Sequence, residues 1–224
     1  MTNEEFFTNL SPRTETLSQL RNAGKTMIAG IIGQSLLKED LFFCAATDRC
    51  MHLIDGFVCM LQERNLTCAG ALLRLQLDNC MRTYAAFLAD DKDKVIDCII
   101  SGNRIDKQKS KDGKFLRDGY LKDELAKLDP KFPVVYENAS GYIHLSDKAF
   151  YLTVKNCDNG IIEWGFGTQL FEKFNPLLLE AADAFIHFVR LHYQILSAVV
   201  DSKKRIDQEY KDPQNQNNGK TTNL

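Results

Sequence analysis

Two long apolar stripes, one directly after the other, constrain this chain more than any other feature. Phe43, Ala46, Cys50, Leu53, Phe57, Met60 and Leu61 recur at steps of three and four, which lines one face of a helix. Ala69, Leu73, Leu77, Cys80, Tyr84 and Phe87 repeat the pattern. The spacing predicts helices over about 39–64 and 66–89, and the short link at Asn65 makes them an antiparallel pair. A third stripe, from Phe174 through Phe185, Phe188 and His192 to Val199, predicts a helix from about Gly167 or Asn175 to Ile206. Each stripe must find a partner face. The expected fold is therefore mainly α, a helical bundle.

The period changes once. AFYLTVKN and IIEWGFG are β-branched and aromatic, and they flank Cys157-Asp158-Asn159-Gly160. Asn-Gly favours a type I′ turn, so one β-hairpin is expected at about 149–166. A lone hairpin is marginal in water and should lean on the helices. Residues 1–12 read as a loose arm, followed after Ser11-Pro12 by a helix over 13–22. A further helix through KTMIAGIIGQSLLK is weakened by Gly30 and Gly33. Shorter helices are expected over 91–100, over LKDELAKL and over VVYENASGYIHLS. No linker-like stretch divides the chain, so residues 1–206 are expected to form a single domain, with a polar, disordered tail over 207–224.

The formal net charge of -2 gives no global pull toward nucleic acid or membrane. The exception is local: RIDKQKSKDGKFLR, residues 104–117, holds six Lys or Arg against two acids. It reads as a solvated loop or as a surface that tracks a phosphate backbone. The seven cysteines are odd in number and contain no Cys-x-x-Cys, which suits reduced thiols in a helical core. The acidic start lacks a signal-peptide pattern, and charges interrupt every apolar run before it could span a membrane. A cytoplasmic protein without membrane contact is expected.

Phosphate-binding glycine loops, dinucleotide fingerprints, nucleophile elbows and His-Glu-x-x-His are all missing from the sequence. Glu180, Asp183 and His187 share a face of the last helix but read as a solvated face, and His192 reads as a core histidine. No metal and no cofactor are expected. The densest polar cluster is Tyr136-Glu137-Asn138-Ala139-Ser140-Gly141-Tyr142-Ile143-His144. In a continuous helix Tyr136, Ser140 and His144 would share one face. His144 could then act as a general acid or base near neutral pH, or it could simply cap the helix. Arg74 lies among leucines and needs a partner. Asp78, one turn on, could provide it, or Arg74 could serve a site.

The string YENASGYIHLS, preceded by a helix carrying LLRLQLDNCMR, resembles a divergent member of the HEPN superfamily over about residues 40–150. That resemblance implies a helical bundle, often a homodimer, with RNA as partner. Many members are metal-independent ribonucleases of phage defence and toxin–antitoxin systems. His144 matches the family His. At the position of the family Arg this chain has Glu137 and Asn138, so Arg74 or Arg82 would have to supply the cation. The resemblance thus implies His144 and Arg74 as catalytic residues, with Tyr136, Asn138, Ser140 and Arg82 as substrate contacts. The other reading is a non-catalytic interaction or scaffold bundle in which these residues are structural.

Overall fold

The computed structural model describes residues 1–144, 146–158, 160–167 and 170–211. Four long helices form the bundle: α1 (Asn3–Ile32), α2 (Lys38–Gln62), α3 (Leu66–Leu88) and α8 (Asn175–Lys211). Between α3 and α8 lie α4 (Lys92–Ile100), α5 (Asp118–Leu128), α6 (Phe132–Ser140), α7 (Asp147–Tyr151) and one antiparallel pair, β1 (Val154–Asp158) with β2 (Ile161–Trp164). The mainly α fold with one appended hairpin is what the periodicity predicts. Among the described residues no helix is long and apolar enough to cross a membrane.

The long helices form a closed ring in which α1 packs on α2, α2 on α3, α3 on α8 and α8 on α1. Their directions follow from the cross-links. Arg13 grips Asp183, Tyr193 donates to the Leu20 carbonyl, and the Gln34 amide donates to Asp207, so α1 and α8 run parallel. Gln76 reaches the Phe188 carbonyl and Thr83 reaches His192, so α3 also runs parallel to α8. Only α2 opposes them, with Arg64 at Asn175 and Asp40 at Lys203. The chain must therefore travel back along the bundle before α8 starts. At 1.5 Å per residue, α3 alone is roughly 34 Å long. The segment 89–174 covers that distance, with α5 and α6 laid against α3.

The core is apolar and aromatic. Phe57 stacks on Phe185 with ring centroids 3.9 Å apart, and Phe132 meets Phe188 edge-on at 5.5 Å, which pins the start of α6 to α8. Cys50 and Cys80 are fully buried, and burial pushes the Cys50 thiol up to about 12 and Cys80 well above its usual range. All seven cysteines are free thiols, but Cys59, Cys68 and Cys157 are exposed rather than core residues.

Several sequence expectations are corrected. Residues 1–12 are no loose arm, because α1 is one helix through Pro12. Thr2 and Glu5 form a capping box, each side chain bonding the other's amide. An internal proline costs about 3 kcal/mol. Burying Phe6 and Leu10 completely, or nearly so, returns roughly 1.5–3 kcal/mol each. Gly30 is no weak point either, since α8 approaches so closely that a Cβ there would overlap Val200. The end of α8 carries helix over residues 207–211, where a tail was expected, while 212–224 lie outside the described residues. The hairpin is shorter than expected, because Phe150 and Tyr151 belong to α7. Gly160 has the positive φ of 78° that the turn requires; Asn159 lies outside the described residues. The strands are held mainly at their base, where Trp164 packs edge-on against Phe150 of α7. Every β2 residue is exposed, as is β1 beyond Val154.

Candidate functional site

The fold brings part of the anticipated site together. Arg74 projects from α3 toward α6, where Tyr136 and Ser140 stand one turn apart. Its Nε donates to Ser140 Oγ at 3.3 Å, an Nη donates to the Tyr136 hydroxyl, and its guanidinium carbon lies 3.8 Å from the Tyr136 ring centroid. Ser140 Oγ in turn donates to the Tyr136 carbonyl at 2.8 Å. Burial raises the Tyr136 phenol above its ordinary range, Asp118 and Asp78 push in the same direction, and Arg74 opposes them. Lys122 of α5 closes the outer side with a 2.5 Å ion pair to Glu137, which holds the Glu137 carboxyl below its usual range.

The rest of the anticipated site lies elsewhere. Asp78 does not serve Arg74. It pairs with Arg82 at 3.4 Å, and Arg82 also reaches Asp118 at 2.8 Å, which ties α3 to the start of α5. Asn138 is exposed on α6. His144 is not on the helix. The last turn of α6 tightens, with Tyr142 N–H bonding the Ala139 carbonyl and Ile143 N–H the Ser140 carbonyl, and the chain leaves the helical path. Tyr142 settles over Gly70 of α3, where a Cβ would overlap its ring. Packing of Tyr142 thus wins over continuation of the helix. His144 ends exposed, with no hydrogen bond or ion pair among the described residues. Gly70→Ala is expected to push Tyr142 off α3 and cost about 1–3 kcal/mol, a typical overpacking penalty. Urea unfolding checks this, and an unchanged midpoint would mean that Tyr142 is not held there.

The acidic face of α8 is solvated as expected, with Glu180 and Asp183 exposed; Asp183 there forms a two-pronged pair with Arg13 at 2.8 Å, and half-buried His187 pairs with Asp129 at the end of α5. Among the described residues no cluster of His, Cys, Asp or Glu is placed to hold a metal ion.

The basic run is solvated and folds into a hydrogen-bonded ribbon. Lys111 N–H bonds the Leu88 carbonyl, Leu116 N–H bonds the Gln108 carbonyl, and Ser110 N–H bonds the Lys114 carbonyl. Side chains alternate across it. Ser110 and Leu116 are buried against the bundle, while Lys107, Lys109, Lys111, Phe115 and Arg117 are exposed. Lys109 and Arg117 flank the Phe115 ring at 5.7 and 5.2 Å. Lys107, Lys109, Lys111, Lys114 and Arg117 make no ion pair among the described residues. The six cations were legible in the sequence. The placement of Lys109 and Arg117 beside the exposed Phe115 depends on the ribbon, which hydrogen-bonds to the end of α3. No protein-family model, curated protein or solved structure matches this chain.

Proposed function

We propose that this chain is a non-catalytic, RNA-binding helical protein, HEPN-like in its bundle and not in its chemistry. The observation that carries the reading is the basic ribbon. Five exposed cations without carboxylate partners share one hydrogen-bonded ribbon with an exposed Phe115, which Lys109 and Arg117 flank. Single-stranded RNA is read by such surfaces, in which cations track phosphates and an aromatic ring stacks on a base for roughly 1–3 kcal/mol. The α3–α6 cluster supports the non-catalytic part. The Arg74 guanidinium is occupied by Tyr136 and Ser140, and His144 stands off the helix that would have aligned it. A metal-independent ribonuclease remains the second reading, favoured by the convergence of Arg74, Tyr136 and Ser140 on one half-buried spot.

One set of measurements separates the two. Wild-type protein is expected to bind a labelled single-stranded RNA with a log–log salt slope of about -3.5 if all five cations engage, at about -0.7 per phosphate. Lys109→Ala with Lys111→Ala should reduce that slope by about 1.4, and Phe115→Ala should weaken binding with little change in slope. RNA should stay intact. Arg74→Ala should lower the melting temperature without changing RNA integrity. Cleavage by wild type that His144→Ala abolishes at unchanged stability would establish the ribonuclease instead. Absence of salt-dependent binding would remove RNA as the partner.

A further inference from the structure

Residues of α2 and α3 line a cleft of about 820 Å³, closed at one end by the residues that follow α4. That volume falls within the roughly 300–1,000 Å³ of small-molecule sites. Its origin is local. Ala45 and Ala46 of α2 are too small to fill the gap, and Phe42 and Ile105 form its floor. Leu41 and Ile100 form the lips, 54% and 58% exposed, so apolar surface there faces water instead of protein.

The polar groups in the cleft are not evenly satisfied. Asp78 and Asp118 are both taken by Arg82, and Asp106 is paired with Arg104. Arg49, on the rim, forms no ion pair or hydrogen bond among the described residues. Asp106 is the more telling group. Its Oδ2 is paired with Arg104 at 2.8 Å, while its Oδ1 is buried in the cleft wall and has no hydrogen-bond partner among the described residues. A buried acceptor held in place without a donor costs free energy unless water or a ligand supplies one.

We propose that this cleft binds a small amphipathic anion. Its apolar body, the size of one or two rings, would lie on Phe42 and Ile105 between Leu41 and Ile100. An N–H or O–H on that body would donate to Asp106 Oδ1. Its anionic group, a carboxylate, sulfonate or phosphate, would reach Arg49 at the rim. The cleft shares Arg104, Ile105 and Asp106 with the basic run, but none of the five unpaired cations, Phe115 or Arg74 lines it, so it is tested without RNA.

The test uses 8-anilinonaphthalene-1-sulfonate, which carries a ring pair, an N–H and a sulfonate, and its uncharged relative N-phenyl-1-naphthylamine. Both are titrated into the native full-length chain by fluorescence, without RNA. The sulfonate is expected to bind at one equivalent per chain. Ala45→Trp, which fills the cleft from an exposed position, should abolish binding of both dyes. Arg49→Gln should weaken the sulfonate about tenfold or more, as loss of a charge-assisted hydrogen bond does, and leave the uncharged dye nearly unchanged. Circular dichroism confirms that both variants fold. Binding that survives Ala45→Trp would place the dye elsewhere, the exposed hairpin aromatics first, and would overturn the site. Equal weakening of both dyes in Arg49→Gln would overturn the anion assignment, and absence of saturable binding would overturn the proposal altogether.

Discussion

Lowering the pH from 7 to 4.5 is expected to cost wild-type protein roughly 2–3 kcal/mol more stability than it costs His192→Gln. His192 is fully buried on α8, and its Nε2 lies 3.1 Å from Thr83 Oγ1. Its Nδ1 has no partner among the described residues. Burial pushes the imidazole from 6.5 down to about 3, because a charged ring there would lose its hydration and gain no anion. The folded protein therefore refuses a proton that the unfolded chain accepts below 6.5. Stability depends on pH with the sign of the protons bound in the unfolded state minus those bound in the native state. That difference is positive between about 3 and 6.5, so stability rises with pH in this window and is lost as the solution is acidified. The slope approaches about 1.4 kcal/mol per pH unit well below 6.5. Carboxylates held low, such as Glu137 beside Lys122 and Asp91 beside Lys94, add their own acid loss, but they are common to both proteins and cancel in the comparison. Urea unfolding at the two pH values gives the answer. Parallel profiles would mean that His192 titrates in the folded state and that the interior around Thr83 admits water or an anion.

The second large effect is expected at the far end of the bundle. Lys203 of α8 and Asp40 in the first turn of α2 are each 2% exposed and pair with one another. Asp40 Oδ2 also accepts the Leu37 N–H at 2.7 Å, which closes the start of α2. Lys203→Met is expected to cost about 3–5 kcal/mol, since it strands a carboxylate in a dry site with one amide for company. The double variant Lys203→Met, Asp40→Leu should recover most of that loss. An apolar pair of similar volume needs no rehydration, and only the bond to Leu37, worth about 1 kcal/mol, stays missing. Urea midpoints of wild type, both single variants and the double variant complete the cycle. A Lys203→Met cost below about 1 kcal/mol would show the pair to be hydrated, with that end of the bundle open.

What the sequence determined by itself is what depends on neighbours a few residues away. The stripes of α2 and α3 set those helices and their antiparallel pairing, because a three-to-four spacing puts the apolar side chains on one face whatever the rest of the chain does. Gly160 located the hairpin turn, and the one-turn spacing of Tyr136 and Ser140 predicted their shared face, though not that it meets Arg74. Thr2 and Glu5 start a helix where a loose arm was expected over residues 1–12, and only the burial of Phe6 and Leu10 against the folded bundle makes Pro12 tolerable inside α1. The tertiary structure decided whatever required distant partners. Running α8 parallel to both α1 and α3 forces residues 89–174 back along the bundle, which lays α5 and α6 on α3 and brings Asp118 to Arg82. Packing of Tyr142 over Gly70 ended α6 early and removed His144 from the face it would have shared with Tyr136. The cleft beside Asp106 has no sequence signature, because it is assembled from α2, α3 and the residues after α4, where small side chains leave the gap unfilled. Periodicity reports which face of a helix is buried, and only the assembled bundle reports what that face meets.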